Sequence, residues 1–174
     1  MQKRPFGRQA PLGKEDSLSV IAHRGFSGAA PENTLAAFRK ALDAGAEYLE
    51  LDVHLSKDNR VVVIHDKRIN RTTDGKGNVC DLTLAEIQRF DAGGWFAPEF
   101  RAERVPSLDE VMQLVQGKAT LFIEVKRGDR FYAGIEEQLI RLIREHNAGA
   151  WCILHSFDDE ILVNIHRLAP DFPL

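Results

Sequence analysis

An α/β fold built on parallel strands is predicted by three features of this 174-residue chain. Short apolar runs alternate with amphipathic stretches of helical period. Ionisable residues collect at the carboxyl ends of those runs, as His23-Arg24, His65-Asp66, Glu124 with Lys126, and His155-Ser156. That edge of a parallel sheet is where ligands bind in α/β proteins. The run Tyr48–Leu55 also divides cleanly, with Leu49, Leu51, Val53 and Leu55 on one face and Tyr48, Glu50, Asp52 and His54 on the other. Parallel strands are normally covered on both sides, so the polar face needs an enclosed interior. A barrel provides one, with leucines toward the helices and carboxylates toward the upper lumen. The expected class is therefore a (β/α)8 TIM-barrel type.

The elements follow in order. Residues 1–17 are polar with Pro5, Gly7, Pro11 and Gly13, and read as a loose lead-in. Residues 18–22 read as a strand, and 34–44 as a helix opened by Pro31-Glu32-Asn33-Thr34. Thr34 suits the N-cap there, and Asn33 reads as helix-start structure. Tyr48–Leu55 and 61–64 are strands joined by the turn residues Lys57-Asp58-Asn59. A long polar stretch, 67–104, holds one short helical segment at 84–90. Within it Thr73-Asp74-Gly75-Lys76-Gly77 is a turn, because a phosphate loop needs a strand before it and a helix after it. Trp95, Phe96 and Phe100 either wall a cap or pin this stretch down as a satellite cluster. Beyond it, 107–115 is helical, 121–125 a strand, 134–145 a helix, 152–154 a strand and 159–168 a helix.

Composition narrows the function. A net charge of −3 argues against a sequence-independent nucleic-acid binder and against a polybasic membrane anchor. No apolar run approaches the ~20 residues of a transmembrane segment. The polar opening has no apolar core of a signal peptide. Cys80 and Cys152 cannot build a disulfide framework and read as free thiols. The expectation is a soluble, cytoplasmic protein.

Glu50 and Asp52 project the same way about 6.6 Å apart along the strand, a spacing at which two carboxylates can share one hard cation. Glu124 offers a third oxygen. An all-carboxylate set suits Mg²⁺, Ca²⁺ or Mn²⁺ better than Zn²⁺. Alternatively, these acids pair with Arg24 and Lys126 in a purely structural ion network. His23 and His65 are acid/base candidates because imidazole titrates near neutrality. Arg24 and Lys126 are the cations available to an anionic substrate. His54 shares the polar face of its strand and reads as a rim residue. His146 and His166 lie late on helices and read as surface groups.

Taken together, Ala22-His23-Arg24-Gly25, Pro31-Glu32-Asn33-Thr34, Glu50-Leu51-Asp52-Val53, His65-Asp66 and Glu124-Val125-Lys126 resemble the glycerophosphodiester phosphodiesterase family. Asp91-Ala92-Gly93, the stretch 105–110 and Ser156-Phe157-Asp158 carry the same likeness. The resemblance implies a (β/α)8 barrel with a small cap inserted after the third strand, here about 67–104. It implies a divalent cation on Glu50, Asp52 and Glu124, an acid/base pair of His23 and His65, and a phosphate held by Arg24 and Lys126. The implied reaction is hydrolysis of glycerophosphodiesters, the deacylated phospholipids, to glycerol 3-phosphate and an alcohol. A lysophospholipase D-like enzyme on the same barrel and a non-catalytic phosphate-binding fragment are the alternatives. Length bears on the last. Five strands are about three βα units short of a barrel that typically takes ~250 residues. The expectation is a domain over 18–174 that is incomplete at its C-terminal side, whose open edges favour self-association.

Overall fold

A computed structural model of the chain describes residues 19–126 and 134–174, so the lead-in expected at 1–17 lies outside the described residues. In chain order the elements are β1 (Ile21–Ala22), α1 (Leu35–Asp43), β2 (Tyr48–Leu55), β3 (Val61–Val63) and the single-turn α2 (Leu84–Ile87). They continue with α3 (Leu108–Val115), β4 (Thr120–Val125), α4 (Ile135–Glu145), β5 (Cys152–His155) and α5 (Asp159–Leu168). Among the described residues no helix is long and apolar enough to cross a membrane.

The strands form one sheet in the order β1-β2-β4-β5, all parallel, with helices in the crossovers. This is an α/β architecture of the barrel type, with four parallel strands among the described residues where a full barrel closes eight. One strand departs from the expected series of five βα units. β3 runs antiparallel to the end of β2, with Val53 opposite Val63 and Leu55 opposite Val61. The reason is the length of the connection. Only residues 56–60 join the two strands, and a parallel crossover takes a dozen or more. Asn59 adopts a left-handed φ of 56°, its N–H donates to the Ser56 carbonyl at 3.0 Å, and the Ser56 N–H donates to the Arg60 carbonyl at 2.9 Å. Asn tolerates that conformation better than most residues.

The short partners of β2 also shape the site. On the edge away from β4, β1 covers only Tyr48 and Leu49, and β3 covers only Val53 to Leu55. The chain leaving β1 at His23-Arg24 turns into the interval between them, beside Glu50 and Asp52.

The two-faced reading of β2 holds. Leu49, Leu51, Val53 and Leu55 lie in the main core with Phe38 and Ala41 of α1, Val111 and Met112 of α3, Leu139 and Ile143 of α4, and Ile161 and Ile165 of α5. Helix starts are set locally. Thr34 Oγ1 accepts the Ala37 N–H, and Ser107 with Glu110 closes a reciprocal capping box. The long polar stretch has its own small core, in which Val62, Ile64, Ile69, Val79, Ile87, Ala92 and Val105 pack with Leu82, Leu84 and Phe90. The satellite cluster is thus mainly aliphatic. Trp95, Phe96 and Phe100 stack edge-to-face on one another beside it, with successive ring centroids 5.7 Å apart.

Gly25 follows the His23-Arg24 pair with φ +77°, and a Cβ there would stand 2.8 Å from both the backbone carbon and the Cβ of Ala37. Its turn is tied to α1 by the Phe26 N–H donating to the Ala37 carbonyl at 3.0 Å. Gly25→Ala therefore combines left-handed strain with overpacking against backbone, and is expected to destabilise the protein by about 2–4 kcal/mol. Urea unfolding checks this, and a loss under about 0.5 kcal/mol, the scatter of neutral surface changes, would contradict it.

Candidate active site

β2 and β4 bring the three acids together. Asp52 pairs directly with Glu124 in the parallel register, and Glu50 lies two residues earlier on the same face of β2. One oxygen from each of Glu50, Asp52 and Glu124 lies within 4.8 Å of the others, and all three residues are buried. His155 is the register partner of Glu124 on β5, which extends the polar edge by one strand.

The two cations fold onto this cluster. Lys126 Nζ lies 2.8 Å from Asp52 Oδ1 and donates to Glu124 Oε1 at 2.5 Å. Arg24 Nε lies 3.2 Å from Asp52 Oδ2, and its backbone N–H donates to Glu50 Oε2 at 2.9 Å. Arg24 itself has φ 56°, an unusual left-handed backbone for a non-glycine residue. That turn aims both its backbone N–H and its side chain at the carboxylates. Asn33, also left-handed at φ 57°, donates from Nδ2 to Asp52 Oδ2 at 2.9 Å. Asp52 is the hub of the whole group.

The histidines sit differently. His23 Nε2 lies 3.8 Å from Glu50 Oε2, with its side chain 65 % exposed. His65 follows β3, and its Nδ1 bonds to Asp66 Oδ1 at 2.7 Å. Its path to the carboxylates runs through side chains: Arg71 binds both Asp66 and Glu32, and Glu32 binds Arg24. His54 is no rim residue. It is 2 % exposed, and its Nε2 bonds to the His65 carbonyl at 2.9 Å, tying β2 to the backbone that carries His65.

Electrostatics separates the acids. Burial pushes the Glu50 carboxyl up, with the Asp52 charge adding to it, to about 7. Burial would also raise Asp52, but hydrogen bonds from Lys126 and Asn33 outweigh it and hold that carboxyl below its ordinary value. Lys126 is shifted up: burial opposes its charge, and Asp52 and Glu124 more than compensate. Cys152 is buried and its thiol is pushed up to about 12, so it is inert at neutral pH.

A family model for the glycerophosphoryl diester phosphodiesterase family matches residues 23–174. The chain belongs to that family. A glycerophosphodiester phosphodiesterase of Caldanaerobacter subterraneus subsp. tengcongensis is 49 % identical over 152 residues, which cover 87 % of this chain and 63 % of that relative. Among solved structures, the glycerophosphodiester phosphodiesterase of Agrobacterium tumefaciens is 38 % identical with a TM-score of 0.80, over 87 % of this chain and 63 % of that one. A phosphodiesterase of Oleispira antarctica, solved in complex with the product sn-glycerol-3-phosphate, is 34 % identical with a TM-score of 0.83, over 89 % of this chain and 64 % of that one. The chain thus spans a little under two thirds of the length of these family members.

The donor set fits a hard divalent cation. The oxygens it offers are carboxylates; Asn33 Oδ1 beside them is fully buried without a hydrogen-bond partner, and Asp52 Oδ1 is fully buried with the Lys126 ammonium 2.8 Å away as its ion-pair partner. Glu50 supplies a test. A carboxyl whose folded pKa lies above its unfolded value holds extra protons when folded, so its burial costs stability increasingly as pH rises from 4.5 to about 7. Glu50→Gln keeps an oxygen for the Arg24 N–H and carries no charge at any pH. In chelator at about pH 8 the variant is expected to be the more stable protein, by on the order of 1–3 kcal/mol, with the gap closing toward pH ~4.5. Added Mg²⁺ should raise Tm for the wild type more than for the variant. Thermal melts at the two pH values check both statements, and equal Tm values at pH ~8 would contradict the first.

Proposed function

We propose that the chain carries a metal-dependent phosphodiesterase activity that hydrolyses glycerophosphodiesters to glycerol 3-phosphate and an alcohol. The observation that carries this reading is the Asp52-centred group, three buried acids crossed by Arg24 and Lys126 at the carboxyl edge of parallel strands. The glycerol 3-phosphate bound in the Oleispira structure supports the substrate class. Glu50, Asp52 and Glu124 would hold one divalent cation, Mg²⁺, Ca²⁺ or Mn²⁺. When bound, that ion supplies positive charge to phosphoryl oxygens that gain charge in the transition state. Arg24 and Lys126 add theirs from fixed positions and orient the phosphate. The phosphorus–oxygen bond to the alcohol breaks as an oxygen of water bonds to phosphorus, or as the substrate's own adjacent hydroxyl does so to form a cyclic phosphate that a water molecule then opens to glycerol 3-phosphate. Of His23 and His65, one takes the proton of the attacking oxygen and the other returns a proton to the departing alkoxide. The stretch 67–104, with its own small core, would cap this edge and border the alcohol moiety.

The direct test is to incubate the purified chain with glycerophosphocholine and Mg²⁺, Ca²⁺ or Mn²⁺ and to measure glycerol 3-phosphate. Release that depends on the cation is expected. No release with any of the three ions, from a folded protein that binds them, would overturn the proposal.

A further inference from the structure

We propose that Arg71 is a positioning residue that sets His65 and Arg24 together, by gripping Asp66 behind one and Glu32 behind the other. This deepens the phosphodiesterase reading and rests on its placement of both residues at the substrate. The geometry is a double fork. Arg71 Nε and Nη2 donate to the two oxygens of Asp66 at 2.8 and 3.1 Å. Nη1 and Nη2 donate to the two oxygens of Glu32, both at 2.8 Å. Guanidinium alone among side chains can hold two carboxylates bidentately at once, and lysine cannot imitate it.

Each carboxylate passes the constraint on. Asp66 Oδ1 faces His65 Nδ1 at 2.7 Å. Arg71 is the first cause, ahead of His65, of a carboxyl held down to about 2, so Asp66 is an anion at neutral pH. An anion beside Nδ1 selects the tautomer with its proton there, which leaves Nε2 as the site for proton exchange. Glu32 Oε1 meanwhile accepts from Arg24 Nη1 at 2.9 Å. Burial would raise the Glu32 carboxyl, but Arg71 and Arg24 overcome it and keep it charged. Arg24 then continues to Asp52 at 3.2 Å. One guanidinium thus joins residues 32, 66 and 71 into a bridge from the acid/base side of the site to the carboxylate hub.

A surface role does not account for this arrangement. The Arg71 side chain is 44 % exposed and Asp66 33 %, so that ion pair contributes little to stability, and the mostly buried Glu32 keeps Arg24 as a second partner when Arg71 is removed. Four charge-assisted bonds in ideal forks are instead suited to fixing direction.

The experiment reads the tautomer directly, on the full chain without metal and with ¹⁵N-labelled histidine. The His65 signals are assigned by their absence in His65→Asn. At a pH where the ring is neutral, wild-type His65 is expected in the Nδ1–H form. In Arg71→Ala its nitrogen shifts should move toward the Nε2–H form that unconstrained imidazole favours, and Arg71→Lys should move them the same way, because charge remains but the fork is gone. Both variants should keep Tm within a few degrees of wild type. If Arg71→Ala does not fold, Arg71→Lys carries the test. Unchanged His65 nitrogen shifts in the folded variant would overturn the proposal whatever the activity. In the kinetic arm, kcat for glycerophosphocholine is expected to fall ~10–100-fold, as when outer-shell partners are lost elsewhere. A wild type that does not turn over would count against the phosphodiesterase reading alone, and the tautomer shift would still decide the role of Arg71.

Discussion

His65→Ala and His23→Ala are each expected to lower kcat for glycerophosphocholine hydrolysis, the proposed activity, by ~10²-fold or more, the contribution usual for a positioned acid or base. The structure explains why the loss should appear in turnover and not in folding. His23 has a side chain 65 % exposed and His65 one 34 % exposed, so neither fills the core. Truncating them removes little buried surface, and Tm is expected to stay within a few degrees of wild type. KM should change less than kcat, because Arg24 and Lys126, the residues proposed to hold the phosphate, remain in place. Steady-state kinetics beside thermal melts separate these effects. Near-normal turnover in either folded variant would remove that histidine from the mechanism.

Asp52→Asn is the opposite case, in which stability and function fall together. The Asp52 side chain is fully buried between three donors: Oδ2 takes Asn33 and Arg24, and Oδ1 faces Lys126. Asparagine keeps the shape but presents an NH₂ to at least one of these donors, and it leaves two cations without their shared anion. Breaking a buried pair in this way costs about 3–5 kcal/mol, and the lower end is expected because Lys126 keeps Glu124 and Arg24 keeps Glu32. Wild-type Asp52 is held below its ordinary carboxyl range, so its contribution is present above pH 3.8 and is lost as pH falls further. The gap between the two proteins should therefore narrow only in strong acid. Divalent-cation affinity, read by calorimetry, should fall by at least the ~10–100-fold that an outer-shell partner commands. A variant with wild-type stability at neutral pH would show that Asp52 is not the hub that its contacts describe.

Much of this site was legible along the chain because its residues repeat at short intervals. Glu50 and Asp52 are two apart on one strand, so period-2 alternation alone places them together. Lys126 follows Glu124 by the same interval, and His23 precedes Arg24. What escaped was carried by longer separations. Asn33 has a local explanation at a helix start, and nothing nearby reveals its bond to Asp52. Arg71 stands in the polar stretch without periodicity, 39 residues from Glu32. Its neighbour Asp66 was visible beside His65, but not as half of a fork. His54 was placed on the polar face, where a rim position and a buried position give the same pattern.

Residue spacing along the chain already defines the strand–helix alternation, the two faces of Tyr48–Leu55, and which acids, cations and histidines stand at strand ends. Those follow from periods of two and 3.6 residues and from turn chemistry, all of which act within a few positions. The assembled fold is what shows that β3 returns antiparallel, that β1 is short enough for Arg24 to enter beside Glu50, and that Arg71 closes a bridge between Asp66 and Glu32. These depend on which strand edges remain unpaired and on which charges meet across the fold. Distances of that kind arise when the sheet assembles, and local pattern carries no record of them.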